Sequence, residues 1–350
     1  MLRAAVVGAG AMAREHARGL AEVPQATLAA VCDRSRVRAE AFADEFAVPA
    51  WHTDVAEMLD AVRPDVVHVV TPAPTHRAIA AMALEAGAHV LVEKPICPDL
   101  DQLRALRALA DRTGKALLED HNYLFNAQTR RLVALRDSGA LGEVRRVEVV
   151  FAVDLLGAGS PFVDRGAPHP ALALPGGIAS EFVTHMAYLA LAFLGPHDAV
   201  QAAWDRAPGG QPGAVLSALV QGRHGHAVLG FDAACAPPQF TVRVLGTRMR
   251  AELDLLEPYV ATAVAAEPGA RYPLVAMRNA LGQSTQHAAA AVRGLWGRLG
   301  GRRGPYHGLT ELMRESYAAL DAGRDPPLTA RWIDDVNRLV ADLLATWPSS

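Results

Sequence analysis

A lysine stands at a point in the chain where it could exchange a proton with a bound ligand. Lys94 follows the apolar run His89–Val92, within the sequence Glu-Lys-Pro. Open α/β sheets bind ligands at the carboxyl ends of their strands, so a lysine there can hydrogen-bond a reacting hydroxyl or carbonyl group. Partial burial of a lysine favours proton exchange. The alternative interpretation is a surface Glu–Lys pair beside a turn.

A second candidate pair, Glu181 and His185, follows a Gly-Gly dipeptide. Four residues apart on one helix, the two side chains would share a face and could bind one substrate or pass one proton. A lone histidine in an apolar segment is commonly a hydrogen-bonded core residue, and the pair could also be half of a metal site. No further ligands stand at a matching spacing, and a solvated turn explains His224 and His226, so we expect no metal.

The elements that would place a cofactor beside these groups begin at the start of the chain. A short apolar run leads into Gly-Ala-Gly-Ala-Met-Ala at Gly8–Ala13, a helical pattern follows, and a second apolar run ends at Asp33. This order is that of a dinucleotide-binding βαβ unit. Gly8 permits the tight turn, Gly10 lets the backbone approach a pyrophosphate, and Ala13 keeps the helix close to the sheet. Without a ligand, the pattern would be a glycine turn in an α/β protein.

The cofactor that we expect is NAD. The N–H groups at the start of the first helix, at Ala11 and Met12, would face the pyrophosphate, and Asp33 would accept hydrogen bonds from the ribose hydroxyls. A carboxylate at this position repels the 2′-phosphate of NADP, whereas Arg34 could hold it, so NADP stays possible. Arg34 could equally be a solvated residue in the first turn of the next helix.

Composition narrows the class of protein. The chain has 350 residues, which suggests two domains, and 51% of them are hydrophobic. With a net charge of −3 and no basic block, nucleic acid and membrane surfaces are not expected partners; a solvated loop explains Arg298, Arg302 and Arg303. There is no apolar run of about 18 residues, the three cysteines are scattered, and we expect no signal peptide. We therefore expect a cytoplasmic protein.

The pattern of elements changes along the chain. Alternating apolar runs and helical patterns predict an α/β Rossmann domain over 1–122, a doubly wound parallel sheet. Hairpin signals at 222–225 and 246–248 predict an α+β domain over 123–350, with a large open, mostly antiparallel sheet covered on one face by helices. We expect the final helix, 330–346, to pack back near the domain junction, and the other face of the sheet to be free for a second subunit.

With these features, the chain resembles the glucose–fructose oxidoreductase/inositol dehydrogenase (Gfo/Idh/MocA) family over essentially its whole length. The motifs are Gly8–Ala13 with Asp33, then Thr71-Pro72 with His76 and Glu93-Lys94-Pro95, then Gly176-Gly177 through Glu181 to His185. The resemblance implies nicotinamide near Thr71, Pro72, Glu93 and Lys94. The segment around Asn122 also looks like the family and is assigned to the cofactor site. A homodimer or homotetramer through the C-terminal sheet is implied as well.

Family members mostly oxidise or reduce a secondary alcohol/ketone pair on a sugar or cyclitol, and the resemblance implies that hydride transfer here. We expect His185 to take the hydroxyl proton, Lys94 to stabilise the alkoxide, and Glu181 to orient His185 or a substrate hydroxyl. The roles of Lys94 and His185 could be exchanged. The family usually has Asp in place of Glu181 and often Asp in place of Tyr188, which leaves the sugar open. The loop Leu155–Leu174 would border the pocket.

Two other functions stay open. A lyase or epimerase could reduce and reoxidise its NAD within each turnover, and the cofactor would then co-purify with the protein. A regulator could bind a dinucleotide or a sugar without catalysis, but it would not need the proton-transfer pair Lys94 and His185.

Overall fold

The computed structural model describes residues 1–97, 99–157, 160, 172, 174–206, 213–223, 225–257, 259–266, 272–299 and 306–348. Two compact units emerge from its contacts, one of residues 1–125 with 306–337 and the other of residues 126–305 with 338–350. The division predicted from the sequence, 1–122 and 123–350, differs in where it places 306–337. His224, Arg302, Arg303 and most of the loop 155–174 lie outside the described residues.

The first unit is built on a parallel sheet. Its strands are β1 (Leu2–Val7), β2 (Ala26–Cys32), β3 (Trp51–His52), β4 (Val66–Val69), β5 (His89–Val92) and β6 (Leu117–Glu119), in the order β3-β2-β1-β4-β5-β6. Most of their residues are buried, as expected for a sheet covered on both faces. The strand order reverses between β1 and β4, which is where doubly wound sheets bind ligands.

Helices alternate with these strands. They are α1 (Ala11–Leu20), α2 (Arg36–Phe46), α3 (Val55–Val62), α4 (His76–Glu85) and α5 (Leu100–Thr113). Local signals fix their ends: Asp99 caps α5 by accepting a hydrogen bond from the N–H of Gln102, and Gly114 ends it in the left-handed conformation, with φ 65°. The predicted doubly wound α/β domain is confirmed.

The second unit is built on a seven-stranded mixed sheet. Its elements are α6 (Ala127–Asp137), β7 (Val144–Asp154), α7 (Val183–Leu194), β8 (His197–Asp205), β9 (Val215–Gly222), β10 (Gly225–Asp232), β11 (Ala234–Gly246), β12 (Met249–Asp254), β13 (Tyr259–Val264) and α8 (Tyr272–Leu299). The strand order is β13-β12-β11-β7-β10-β9-β8, and all neighbours are antiparallel except β10 and β7. The predicted open, mostly antiparallel sheet is confirmed.

Two further helices follow, α9 (His307–Asp321) and α10 (Ala330–Ala345). Helix α9 belongs to the first unit, where it packs on α1 and brings Met313 and Tyr317 into the core. The contact is close, since a Cβ on Gly19 would lie 3.0 Å from the sulfur of Met313. Among the helices of the described residues, none has both the length and the apolar character to cross a bilayer.

Candidate active site

The turn between β1 and α1 has the conformation that its glycines allow. Gly8 has φ 107°, and a Cβ there would lie 2.5 Å from the carbonyl oxygen of Val70, so no other residue fits. Gly10 is different, because its φ is −84° and a Cβ there would meet nothing within 4 Å. Open space therefore lies beside the start of α1, which no side chain caps. That space and helix start fit a pyrophosphate.

Asp33 lies beside this turn, just after β2. Its Oδ2 accepts a hydrogen bond from the N–H of Ala9 at 2.9 Å, and its Oδ1 accepts one from the N–H of Ser35 at 2.8 Å. The bonds hold the carboxylate in place and leave each oxygen a second lone pair for a ligand hydroxyl. Arg34 is exposed next to it. The residues predicted to bind a dinucleotide therefore lie together at one edge of one sheet.

His76 links the two other predicted turns of this unit. Its buried ring has Nε2 2.6 Å from the carbonyl oxygen of Thr71 and Nδ1 2.9 Å from that of Pro95. The ring thus ties the turn after β4, which includes Pro72, to the turn after β5. Lys94 lies in the second turn, half-buried, and its peptide bond to Pro95 is cis. Through this link His76 fixes the backbone that carries Lys94; its assignment to the cofactor stays a prediction.

A cluster of buried ionisable groups next to Lys94 was missed by the sequence analysis. Glu93 follows β5, Asp120 follows β6 and His16 lies in α1; each is at most 7% exposed. His16 Nε2 lies 3.2 Å from Glu93 Oε1. One ligand atom from each of the three residues lies within 4.8 Å of the others, a spacing that a metal ion could bridge, although the contact between His16 and Glu93 already uses one atom of each.

The pKa values of the two carboxyl groups of this cluster are shifted in opposite directions. Burial acts to raise the pKa of Glu93, but the hydrogen bond and charge of His16 outweigh it and lower that pKa to about 2. Burial and the neighbouring Glu93 raise the pKa of Asp120 well above its usual range. Of the two coupled carboxyl groups, Glu93 is therefore the one whose ionised form is favoured, and Asp120 is the one whose protonated form is favoured. Lys94 is close enough to lower the pKa of both.

A chain of hydrogen bonds leads from Glu93 into the core of the unit. His16 Nδ1 lies 2.8 Å from His68 Nδ1, and His68 Nε2 lies 2.8 Å from the hydroxyl of Tyr317. Burial and the neighbouring His16 lower the pKa of His68 well below its usual range, so His68 is neutral. In one arrangement, His68 Nδ1–H donates to His16 Nδ1, and His68 Nε2 accepts from the hydroxyl of Tyr317. In the other, a protonated His16 donates to His68 Nδ1, and His68 Nε2–H donates to the hydroxyl of Tyr317.

Other buried polar groups support the turn that follows Pro95. Glu119 accepts hydrogen bonds from the N–H of Ile96 at 3.0 Å and from Asn337 Nδ2 at 2.6 Å. Asn122, predicted to contact the cofactor, is buried, and its side-chain oxygen accepts from the N–H of Tyr123 at 2.8 Å. That bond begins the 3₁₀ turn Asn122–Phe125. Asn122 therefore shapes the backbone just after the buried carboxyl pair.

In the second unit, Glu181 and His185 do not share one helix, so that expectation was wrong. Glu181 ends a 3₁₀ turn, Gly177–Glu181, and α7 begins only at Val183. The reason is Phe182, whose φ is −117° and whose ring packs on other aromatic rings of the unit. His185 is half-buried, and its Nδ1 lies 2.8 Å from the hydroxyl of Tyr188. Tyr188 thus orients the imidazole.

Comparisons with known proteins relate the first unit to a known family. A sequence model of the Gfo/Idh/MocA oxidoreductase family, NAD-binding Rossmann fold, matches residues 2–121. A D-glucoside 3-dehydrogenase of Escherichia coli K12 is 36% identical over 178 residues, which is 47% of this chain and 51% of that protein. An inositol 2-dehydrogenase of Streptomyces avermitilis is 37% identical over 145 residues, 41% of this chain and 42% of that protein. The chain thus spans about half the length of these curated relatives.

The fold also occurs in a solved structure. A crystal structure of an oxidoreductase from Agrobacterium radiobacter, in complex with NAD+, L-tartaric acid and magnesium, matches 99% of this chain and 96% of that chain with a TM-score of 0.79. The sequence identity is 17%, so the match supports the fold of both units and not the ligands.

Proposed function

We propose that the protein is a dehydrogenase that exchanges a hydride between NAD and a secondary alcohol of a sugar or cyclitol, a proposal supported by the match of residues 2–121 to the NAD-binding Rossmann fold of the Gfo/Idh/MocA oxidoreductase family. The observation that carries the proposal is the convergence of the open glycine turn, Asp33 and Lys94 at the carboxyl ends of one parallel sheet. The curated relatives, dehydrogenases of a glucoside and an inositol, support this substrate class.

Asp33 favours NAD over NADP as the cofactor. Two backbone N–H groups hold its carboxylate, so it could not turn away from a 2′-phosphate. Arg36 is directed elsewhere, since its guanidinium lies 5.2 Å from the centre of the Trp51 ring. Exposed Arg34 is the residue that would have to hold the phosphate if NADP were used. When NAD is bound, its nicotinamide ring would accept the hydride from the substrate alcohol.

We assign the proton chemistry to Lys94 and His185. Lys94 stabilises the developing alkoxide, and its ammonium group lies close enough to Glu93 and Asp120 to lower the pKa of both carboxyl groups. His185 takes the hydroxyl proton, since its ordinary titration range is near neutrality. Glu181 binds a neighbouring hydroxyl of the substrate, because the hydroxyl of Tyr188 already orients the imidazole.

The absorbance of reduced nicotinamide tests this assignment. Purified protein is given NAD or NADP with a panel of sugars, cyclitols, sugar nucleotides and aminocyclitols. We expect turnover with NAD, a loss of about 100-fold or more in Lys94→Ala, and cofactor affinity within a few-fold of the original. Lys115→Ala is the matched control. Lys115 precedes β6, so it lies at the amino ends of the parallel strands, whereas Lys94 lies at their carboxyl ends. Normal turnover of Lys94→Ala would refute the role of Lys94.

Gly10→Val separates cofactor binding from folding. A Cβ at Gly10 would meet nothing within 4 Å in the protein, so the melting temperature should fall only slightly, through the poorer helix cap. The same side chain would fill the space assigned to the pyrophosphate, and titration calorimetry should show NAD binding weakened by about 10-fold or more. Unchanged affinity would place the cofactor elsewhere. NAD that co-purifies with a protein inactive on the whole panel would instead support internal redox cycling.

We further propose a cytoplasmic homodimer or homotetramer that pairs through the open face of the seven-stranded sheet. Along β10 the side chains of Ala227, Leu229 and Phe231 are buried, whereas the alternate residues Val228 and Gly230 are half-buried. One face of the sheet is thus covered within its unit and the other is available. Light scattering during size-exclusion chromatography measures the mass, and a monomer would contradict the proposal.

A further inference from the structure

Helix α8 presents an apolar stripe to solvent. Six of its large apolar side chains are between 56% and 69% exposed. They are Leu274, Met277, Leu281, Val292, Leu295 and Trp296, here called the α8 stripe. With 3.6 residues per turn, these positions fall within an arc of about 100° on the helix surface. The exposed apolar groups therefore lie on one side of the helix in two groups, Leu274, Met277 and Leu281 near its start and Val292, Leu295 and Trp296 near its end.

The opposite side of α8 is fixed to the edge of the sheet. The side-chain amide of Asn279 accepts a hydrogen bond from the N–H of Val264 at 3.1 Å and donates to its carbonyl oxygen at 2.9 Å. Gln286 accepts from the N–H of Thr262 at 2.8 Å, and Ala290 is buried. Side chains of α8 thus satisfy the outer backbone groups of the edge strand β13. These bonds set the rotation of the helix and leave the α8 stripe on its outer side.

The charge of α8 selects among possible partners. Its sequence contains Arg278, Arg293 and Arg298 and no aspartate or glutamate. Arg278 and Arg293 are exposed. Pairing with the same helix of a second copy would bring arginines together without a carboxylate to balance them. An anionic lipid surface instead offers acyl chains for the apolar side chains and phosphates for the guanidinium groups.

We propose that α8 is a peripheral membrane-binding helix that lies in the plane of an anionic bilayer surface. The α8 stripe inserts among the acyl chains, Trp296 lies at the headgroup boundary, and Arg278 and Arg293 bind phosphates. The expectation from composition that membrane surfaces are not partners rested on the absence of a basic block and of a spanning run. Neither criterion detects a helix that lies along the surface. This proposal is independent of the catalytic one.

Vesicle flotation of the full-length protein tests the proposal. We expect binding to vesicles of phosphatidylcholine with phosphatidylglycerol, weaker binding at high salt, and little binding to phosphatidylcholine alone. The affinity of the double variant L281Q/L295Q for these vesicles should be lower by about 10-fold or more. Val37→Gln is the matched control, because Val37 is an apolar side chain on α2 that is 76% exposed. A blue shift of tryptophan emission on binding, lost in Trp296→Phe, would place the helix in the bilayer.

Two results would overturn the proposal. One is absence of binding to the anionic vesicles by a protein with normal thermal stability. The other is a change in oligomeric mass caused by L281Q/L295Q, because it would show that the α8 stripe is an interface with a second copy. Sedimentation velocity of the wild type, L281Q/L295Q and Val37→Gln measures the oligomeric mass.

Discussion

The buried ionisable cluster of the first unit and the α8 stripe of the second reverse the usual placement of side chains in opposite senses. Glu93, Asp120 and His16 are charged or polar groups in a core, whereas the α8 stripe is apolar and faces water. The desolvation of the first set is partly offset inside the unit, by the hydrogen bond between His16 and Glu93 and by a raised pKa of Asp120 that favours its neutral form. Exposure of the second set can be offset only by something outside the described residues. The buried cluster fits a role in the chemistry that we propose for the first unit, and the α8 stripe fits the membrane binding that we propose for the second.

The largest expected effect is on the buried cluster. His16→Ala removes the side chain that contacts Glu93 Oε1 in the core, and we expect the free energy of unfolding to fall by about 3–5 kcal/mol. Urea unfolding measures it. Arg18→Ala on the same helix is the control, since Arg18 pairs with Glu15 at the surface and its loss should cost no more than about 1 kcal/mol. Adding Glu93→Gln to His16→Ala should restore part of the loss. Equal effects of the two alanine variants would contradict an ionised Glu93.

A change of pH should have a smaller effect on the free energy of unfolding, and the sign of that effect follows from the pKa shifts. The folded pKa of Glu93, about 2, lies below the ordinary value of 4.5, so its stabilising contribution is present above pH 4.5 and is lost as the pH falls toward 2. The folded pKa of Asp120 is raised above 3.8, so its contribution is present below pH 3.8 and is lost as the pH rises.

Two isosteric variants separate these contributions in urea unfolding from about pH 3 to about pH 7. Relative to the wild type, Glu93→Gln should lose stability as the pH rises through this range, and Asp120→Asn should gain it, each by about 1–3 kcal/mol. Slopes of the same sign would show that the pKa values of the two carboxyl groups are shifted in the same direction, which would contradict the proposed difference between them.

The smallest expected effect is on the α8 stripe. Leu281→Gln should change the free energy of unfolding by no more than about 0.5 kcal/mol, because the side chain is exposed already. Ala290→Gln, on the buried side of the same helix, should cost about 1–3 kcal/mol by overpacking. Thermal and urea unfolding of the two variants make the comparison. If Leu281→Gln were as destabilising as Ala290→Gln, the α8 stripe would be part of the core.

The sequence was sufficient wherever the signal was local. Gly8, Gly10 and Asp33 lie within one βαβ unit, and each is specified by a backbone or ligand requirement that its residue type reveals. The hairpins of the second unit join neighbouring strands, so an antiparallel sheet was predictable. The parallel pairing of β10 with β7 was not, because many residues separate the two strands and no turn connects them.

The buried cluster could not be predicted because only the folded chain brings it together. His16 and His68 are 52 residues apart, and His68 and Tyr317 are 249 residues apart. A histidine within the apolar run Val66–Val70 was the only signal, and it identifies no partner. Glu181 and His185 show the opposite failure. Their spacing suggested one helix, but the packing of Phe182 on Phe151 and Phe231 outweighed that local tendency.

The return of residues 306–337 to the first unit has a consequence for biosynthesis. The ribosome makes residues 1–125 early, yet Tyr317 and the rest of α9 follow only after about 180 further residues. At about 5–20 residues per second, that interval lasts about ten to forty seconds. Throughout it, the surface of α1 that α9 will cover is exposed on the nascent chain, together with His68. Residues 1–125 therefore complete their core only after residues 306–337 have been translated.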